Sequence, residues 1–132
     1  MDNLQEAEEP VCGQTAVPTD CPLTAAMAAF GGKWSMICLY WLSSGTRRFN
    51  ELRRLMPEIS HKVLTETLRG LEQDGLVDRT VYAEVPPKVE YSLSAYGENL
   101  RPIIKAVLAW GYAHIEWRRQ ASEQRQSAIA AD

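Results

Sequence analysis

Two helical segments joined by a short connector constrain the fold of this chain most strongly. Apolar residues at helical spacing occupy about residues 50 to 56, and Pro57 ends this segment because proline cannot continue a helix. Ser60 is a favourable N-cap for a second segment that runs to about residue 74, and Gly75 suits the position just after a helix. The inner face of the second segment carries Leu64, Leu68 and Leu71. The sequence therefore predicts a helix, a tight turn and a second helix.

An alternating stretch on each side of a proline-containing loop follows this pair. Residues 76 to 82 and 88 to 93 are rich in β-branched and aromatic residues, which favours strands. The loop between them contains Pro86 and Pro87, neither of which can donate to a strand ladder. We therefore predict a β-hairpin.

Helical patterns also flank the central unit. Residues 22 to 30 and 33 to 42 each show apolar residues at helical spacing, separated by two glycines. A long helical region begins after Ser94, and Pro102 is expected to kink it. The predicted fold is mainly α with a small β-hairpin, a winged helix-turn-helix with extra N- and C-terminal helices. Its domain spans residues 21 to 120.

The two ends of the chain differ from this domain in composition. Residues 1 to 20 carry five acidic residues, no basic residue and few large apolar groups, so we expect a disordered arm. Residues 121 to 132 are rich in alanine, glutamine and serine, and we expect a frayed tail.

Charge and cysteine content limit the classes of protein to consider. The net charge is −3, but the chain after residue 20 has 14 basic and 12 acidic residues. Between Arg47 and Arg69, six basic residues outnumber three acidic ones. No apolar run approaches the ~20 residues needed to span a membrane, and the N-terminus does not resemble a signal peptide, so we expect a cytoplasmic protein. Three cysteines without metal-ligand spacing predict neither a disulfide framework nor a metal, and we expect no cofactor.

The polar face of the second predicted helix is the main candidate site. His61, Lys62, Thr65, Glu66 and Arg69 lie opposite the leucines and offer groups that read base edges or bind phosphates. On an isolated helix such a face is more often merely solvated, but the preceding helix, tight connector and following hairpin favour double-stranded DNA as the partner. The predicted DNA-binding residues are Arg47, Arg48, Ser60, His61, Lys62, Thr65, Arg69, Arg79 and Lys88.

Short motifs in this order resemble those of the HxlR-type transcription regulators. They are Cys21-Pro22, Gly31-Gly32-Lys33-Trp34, Arg48-Phe49-Asn50-Glu51-Leu52, Ile59-Ser60, Lys62-Val63-Leu64-Thr65, Leu68-Arg69, Leu71-Glu72, Gly75-Leu76-Val77 and the run from Val85 to Leu93. The resemblance covers roughly residues 21 to 110. It implies a MarR-like winged-helix homodimer that binds an inverted-repeat operator, in which the N- and C-terminal helices build the dimer.

The long apolar stripe of the last helix supports a dimer independently, because one small domain does not need so much of it. The predicted dimer-interface residues are Leu23, Met27, Leu100, Ile103, Ile104, Val107, Leu108, Gly111 and Ile115.

Cys21 occupies the position that resembles the redox-sensing cysteine of several family members. The resemblance implies that an oxidant or electrophile modifies this thiol and alters DNA binding. A helix N-terminus favours the reactive thiolate, whereas the adjacent Asp20 disfavours it, and the residues equally allow a plain helix-start role. Cys12 is a candidate resolving partner, and Cys38 lies on an apolar helix face where an inert core role is expected.

Two other classes of function are a protein-binding winged helix and an enzyme, and the sequence disfavours both. A winged helix that contacts another protein without binding DNA would agree with the acidic composition, but the arginines and the polar face of the second helix disfavour it. An enzyme is disfavoured because the sequence has no nucleophile–base pair, phosphate-binding glycine loop or paired carboxylates within one element. The sequence thus predicts a transcription regulator, most simply a repressor.

Overall fold

The structure is a computed structural model and describes residues 21 to 131. The expected disordered arm and Cys12 lie outside these residues. Five helices and three strands follow one another along the described chain. The elements are α1 Pro22–Phe30, α2 Lys33–Ser43, β1 Arg47–Arg48, α3 Phe49–Leu55, α4 His61–Gln73, β2 Val77–Tyr82, β3 Lys88–Leu93, a 3-10 turn Gly97–Leu100, and α5 Arg101–Ala131.

The sheet is antiparallel with strand order β1-β3-β2. The predicted hairpin is confirmed as β2 and β3, with Val77 opposite Leu93 and Tyr82 opposite Lys88. The third strand, β1, contains only two residues. It pairs Arg47 with Tyr91 and thereby fixes the start of α3 against the hairpin.

The local signals around α4 act as predicted. Ser60 Oγ accepts a hydrogen bond from the Val63 backbone N–H at 3.1 Å, which caps the helix. At the other end Gly75 has φ +78°, a conformation that favours glycine, and the Leu76 N–H donates to the Leu71 carbonyl at 2.9 Å. Both ends of the helix are therefore fixed by the residues that the sequence singles out.

The core lies between α2, α4, the sheet and the first part of α5. Its fully buried side chains come mainly from one face of α2 and the leucine face of α4, joined by Leu52 of α3 and Val77 of β2. The α2 and α4 members are Cys38, Leu39, Leu42, Leu64, Leu68 and Leu71. Because these leucines face inward, the opposite side of α4 faces solvent.

A buried serine connects the α4–β2 turn to the beginning of α5. Ser94 Oγ donates to the Gly75 carbonyl at 2.6 Å and accepts from the Gly97 N–H at 2.8 Å. Gly97 lies so close to this turn that an added Cβ would stand 2.1 Å from the Leu76 carbonyl oxygen. Ser94 thus begins the last helical region as predicted and also ties it to the rest of the domain.

Two expectations about the last helix were wrong. Pro102 is the second residue of α5, where the absent N–H is not needed for an intrahelical bond, so it does not kink the helix. Residues 121 to 131 continue α5 instead of fraying. Glutamate–arginine pairs support its middle, with Arg119 bonded to both Glu116 and Glu123.

Candidate nucleic-acid interface

The exposed side of α4 presents a polar ridge. Lys62, Glu66 and Arg69 are exposed, and none of the three forms an ion pair within residues 21 to 131. Thr65 is half-buried, and its hydroxyl donates to the His61 carbonyl at 2.8 Å. Thr65 therefore offers a methyl group and an acceptor oxygen to a neighbouring molecule, while the two basic side chains offer donors.

The N-terminal end of α4 is fixed against α3. The His61 ring packs on the Phe49 ring with centroids 4.7 Å apart and planes inclined by 49°. Ser60 uses its hydroxyl for the cap, so its role is to shape the end of the helix. The first backbone N–H groups of a helix have no intrahelical acceptor, so those of His61 and Lys62 are available to an anion.

The two arginines before α3 differ in their availability. The Arg47 guanidinium is half-buried, and Nη2 donates to Ser44 Oγ at 2.8 Å while Nε donates to the Trp41 carbonyl at 3.4 Å. It closes the C-terminal end of α2. Arg48 instead contributes its backbone N–H to Glu51 Oε1 at 2.7 Å and leaves its side chain exposed.

The hairpin also divides its basic residues. Arg79 is exposed on β2, directly opposite Tyr91 of β3. Lys88 is half-buried, lies 3.6 Å from the Glu90 carboxylate and stacks 4.7 Å from the centroid of the Tyr82 ring. Of the two residues predicted on the wing, Arg79 is the more accessible.

Arg54 of α3 also belongs to this surface. It lines a depression of about 510 Å³ between α3 and the start of β3, together with Arg48 and Lys88. Arg48 and Arg54 lie beside Lys88 because the pairing of β1 with β3 holds α3 against the hairpin. Such proximity between separate elements has no local sequence signal.

The apolar residues of α1 and α5 form a second exposed surface. Six of the nine predicted interface residues are exposed large hydrophobic side chains: Leu23, Met27, Ile103, Val107, Leu108 and Ile115. Leu100 and Ile104 are a correction, because each is only 6% exposed and belongs to the protomer's own core. Gly111 is half-buried beside an apolar groove of about 300 Å³ between α2 and α5.

Sequence reasoning missed an aromatic stack on α5. Trp110 and Trp117 are exposed by 66% and 63%, and the His114 ring stacks between them at centroid distances of 4.6 and 5.9 Å. Trp110 and Trp117 are seven residues apart, two helical turns, which is the signal that could have identified them. Together with Ile103 and Val107 they extend the apolar surface along one side of α5.

The two described cysteines have different environments. Cys38 is fully buried in α2, and desolvation raises the pKa of its thiol from 9.0 to about 12, in agreement with an unreactive core residue. Cys21 is buried at the N-cap of α1 and takes part in a disulfide.

Within residues 21 to 131, His, Cys, Asp and Glu side chains form no group of three that could hold a metal ion. In the same part of the chain, no helix has the length and apolar character to cross a membrane.

A helix-turn-helix with a solvent-facing second helix, followed by a β-hairpin, defines a winged helix-turn-helix domain. The HxlR-like helix-turn-helix family matches residues 29–119, and the chain belongs to this family. It is 50% identical over 91 residues to the HTH-type transcriptional regulator YdeP of Bacillus subtilis strain 168, covering 69% of this chain and 71% of that relative. The family and its relatives identify the chain as a transcriptional regulator of the helix-turn-helix type.

Solved structures agree with this assignment. The redox regulator HypR in its oxidized form is similar with a TM-score of 0.69 and 47% identity, over 70% of this chain and 96% of that one. Its reduced form gives a TM-score of 0.71 and 43% identity, over 75% and 98% of the respective chains. The predicted family and fold class are therefore confirmed.

Proposed function

We propose that this protein is a homodimeric repressor that binds an inverted-repeat operator with the exposed ridge of α4. The observation that carries the proposal is the accessible position of Lys62 and Arg69 on a helix whose other face fills the core. Lysine and arginine are the side chains that donate to guanine O6 and N7 in the major groove. Arg48, Arg54 and Arg79 lie on flanking elements, where they bind operator phosphates.

The dimer supplies the second copy of this surface. Leu23, Met27, Ile103 and Val107 are apolar and exposed, and Trp110 extends their area on α5. Exposed apolar patches of this kind mark protein–protein interfaces. A two-fold axis through α5 places two α4 helices on one duplex, which matches an inverted repeat.

Titration of the DNA upstream of the protein's own gene, by fluorescence anisotropy over a series of salt concentrations, tests DNA binding. Arg69→Ala and Lys62→Ala are expected to weaken specific binding by about 10- to 100-fold while leaving the melting temperature unchanged. Arg118→Ala, which removes an exposed arginine from α5, is the matched control and is expected to bind like the wild type. Equal binding by all four proteins would refute the proposed role of α4.

Cys21 is the proposed sensor of an oxidant or electrophile. Its sulfur lies at the N-cap of α1, one of the two helices of the proposed dimer, and it is disulfide-bonded. The similar structures include a redox regulator in both oxidation states. We propose Cys12 as the resolving partner, so that oxidation changes the position of α1 and with it the spacing of the α4 helices.

Operator binding with and without diamide or a quinone tests the sensor. Wild-type protein is expected to change affinity on oxidation and to recover with dithiothreitol. Cys21→Ser is expected to bind DNA normally but to lose the response, and mass spectrometry of the oxidised wild type should identify a Cys12–Cys21 disulfide. A Cys21→Ser protein that still responds would end the sensor proposal.

A further inference from the structure

The exposed ridge of α4 contains a carboxylate that the proposed contacts to guanine and phosphate do not use. Successive residues of a helix turn by about 100°, so Lys62, Glu66 and Arg69 lie within about 60° of one another around α4. Along the helix axis Glu66 lies between the two cations. All three side chains are exposed, so a molecule that contacts Lys62 and Arg69 also meets Glu66.

Glu66 forms no ion pair although a cation lies at pairing distance in sequence on each side of it. Lys62 is four residues before Glu66 and Arg69 is three residues after it, the two spacings at which helical side chains meet. On α5, Glu116 and Arg119 have the same spacing and order as Glu66 and Arg69, and they do pair. Within residues 21 to 131 the carboxylate of Glu66 is therefore free of a charged partner.

A carboxylate on a surface that faces DNA has few favourable contacts to make. Phosphates repel it, so it lowers the affinity for DNA of any sequence. Most base edges of the major groove also present it with acceptors, since guanine offers O6 and N7, thymine offers O4, and adenine places N7 beside its amino group. Cytosine offers the N4 amino group as a donor, and carboxylates accept from it. A carboxylate in this place therefore contributes discrimination and not affinity.

We propose that Glu66 selects a cytosine in each half-site of the operator by accepting a hydrogen bond from cytosine N4. The inference rests on the proposed function, in which Lys62 donates to a guanine. Residues 62 and 66 are separated by about 6 Å along the helix axis, and successive bases of a strand by about 3.4 Å. The selected cytosine thus lies within about two base pairs of the guanine that Lys62 contacts.

Fluorescence anisotropy at one ionic strength, with the operator that the protein selects from random duplexes, tests this role. For the wild type, replacement of the cytosine by thymine is expected to weaken binding by about tenfold, the usual cost of one mismatched pair. Glu66→Ala has no acceptor at this place, so it should distinguish cytosine from thymine by less than about twofold. It should also bind the thymine duplex more tightly than the wild type does.

Glu66→Gln gives a directional readout of the same contact. An amide offers a donor beside its acceptor and so matches adenine N6 and N7. Relative to the wild type, this variant should shift the ratio of adenine to cytosine affinity at the selected position by at least about tenfold toward adenine. Its melting temperature should equal that of the wild type, because the side chain is exposed. A Glu66→Gln protein with the wild-type ratio would overturn the proposal.

Glu72→Gln is the matched control, since it removes the same charge from the same helix. Glu72 lies about 120° around α4 from Glu66 and lines a cavity beside the sheet. This variant should keep the wild-type preference for cytosine. If Glu66→Gln and Glu72→Gln instead tighten binding to every duplex equally, Glu66 is only a general negative charge and the proposal is refuted.

The position of the cytosine separates this inference from the proposed function. Lys62→Ala identifies the guanine by the position at which discrimination is lost. A selected operator with no cytosine within two base pairs of that guanine would overturn the role of Glu66 and leave the proposed function intact. A protein that selects no operator would refute the proposed function, and the role of Glu66 with it.

Discussion

Helices α4 and α5 are both amphipathic, yet they leave opposite kinds of surface exposed. In α4 the three leucines are buried and the exposed side is polar. In α5, which has 31 residues, Ile104 is the one residue of the helix that is buried, and Val107, Trp110 and Trp117 remain exposed. The core of a single chain thus covers the apolar face of α4, whereas much of the apolar face of α5 stays exposed to solvent. The exposed side of α4 therefore suits a polar partner, whereas the exposed side of α5 suits an apolar one.

The largest effect is expected from a charge on the uncovered face of α5. Val107→Arg should convert the proposed dimer to a monomer and raise the dimer Kd by more than about 100-fold, because it buries an unpaired charge twice across a two-fold axis. Sedimentation velocity over a range of protein concentrations measures this change. Ala109→Arg places the same charge on the opposite side of α5 from Val107 and should remain dimeric. A dimeric Val107→Arg protein would show that α5 is not the interface.

A smaller effect is expected from the residue that connects the two regions. Ser94→Ala leaves the Gly75 carbonyl and the Gly97 N–H without their partner and should lower the free energy of unfolding by about 1–3 kcal/mol. Urea unfolding at one fixed protein concentration measures it, since the stability of a dimer depends on concentration. Ser92→Ala, which changes a half-buried serine of β3 two residues before Ser94, is the control. Equal stability of the two variants would contradict the role of Ser94.

The smallest effect concerns Cys38 of α2, the helix on which both α4 and α5 pack. Its pKa is raised from 9.0 to about 12 in the folded protein, so the folded state favours the neutral thiol. Stability from this group is complete below about pH 9 and falls as the pH rises toward 12, by at most about 1.4 kcal/mol per pH unit.

Urea unfolding between pH 8 and pH 10 detects this loss, and Cys38→Ala should show a shallower decline. At pH 8 the native Cys38 thiol should also resist iodoacetamide. Rapid alkylation of Cys38 in the folded protein would contradict its assignment to the core and would make it a second candidate for redox chemistry.

The difference between the two helices also explains how far the sequence could predict the structure. The ends of α4 carry strong local signals, since Ser60 accepts the capping bond and Gly75 takes a positive φ, and both were identified in advance. The division of α5 into core and surface depends on how the helix rotates against α2. Leu100 and Ile104 were therefore assigned to the dimer interface although they complete the core, while Trp110 and Trp117 were missed.

Contacts between elements that are distant in the sequence were the second feature that the sequence could not predict. The periodicity of α4 predicted which side chains face outward, but not that Arg79 and Tyr91 of the sheet stand across a cavity from Arg69. Arg47 illustrates the same limit. Its charge predicted a phosphate contact, whereas its guanidinium is bonded to Ser44 and to the Trp41 carbonyl at the end of α2. A sequence shows that a side chain is charged, but it does not show which hydrogen-bond acceptors the folded chain places around that side chain.

The most direct test of the account is a base-by-base comparison of operator preference for the wild type and Lys62→Ala. The protein is first used to select its operator from random duplexes, and each position is then substituted in turn and its affinity measured. If the ridge of α4 reads bases, Lys62→Ala loses discrimination of about 5- to 100-fold at one symmetric position in each half-site and keeps it elsewhere. Preferences that are identical at every position in the two proteins would contradict the account.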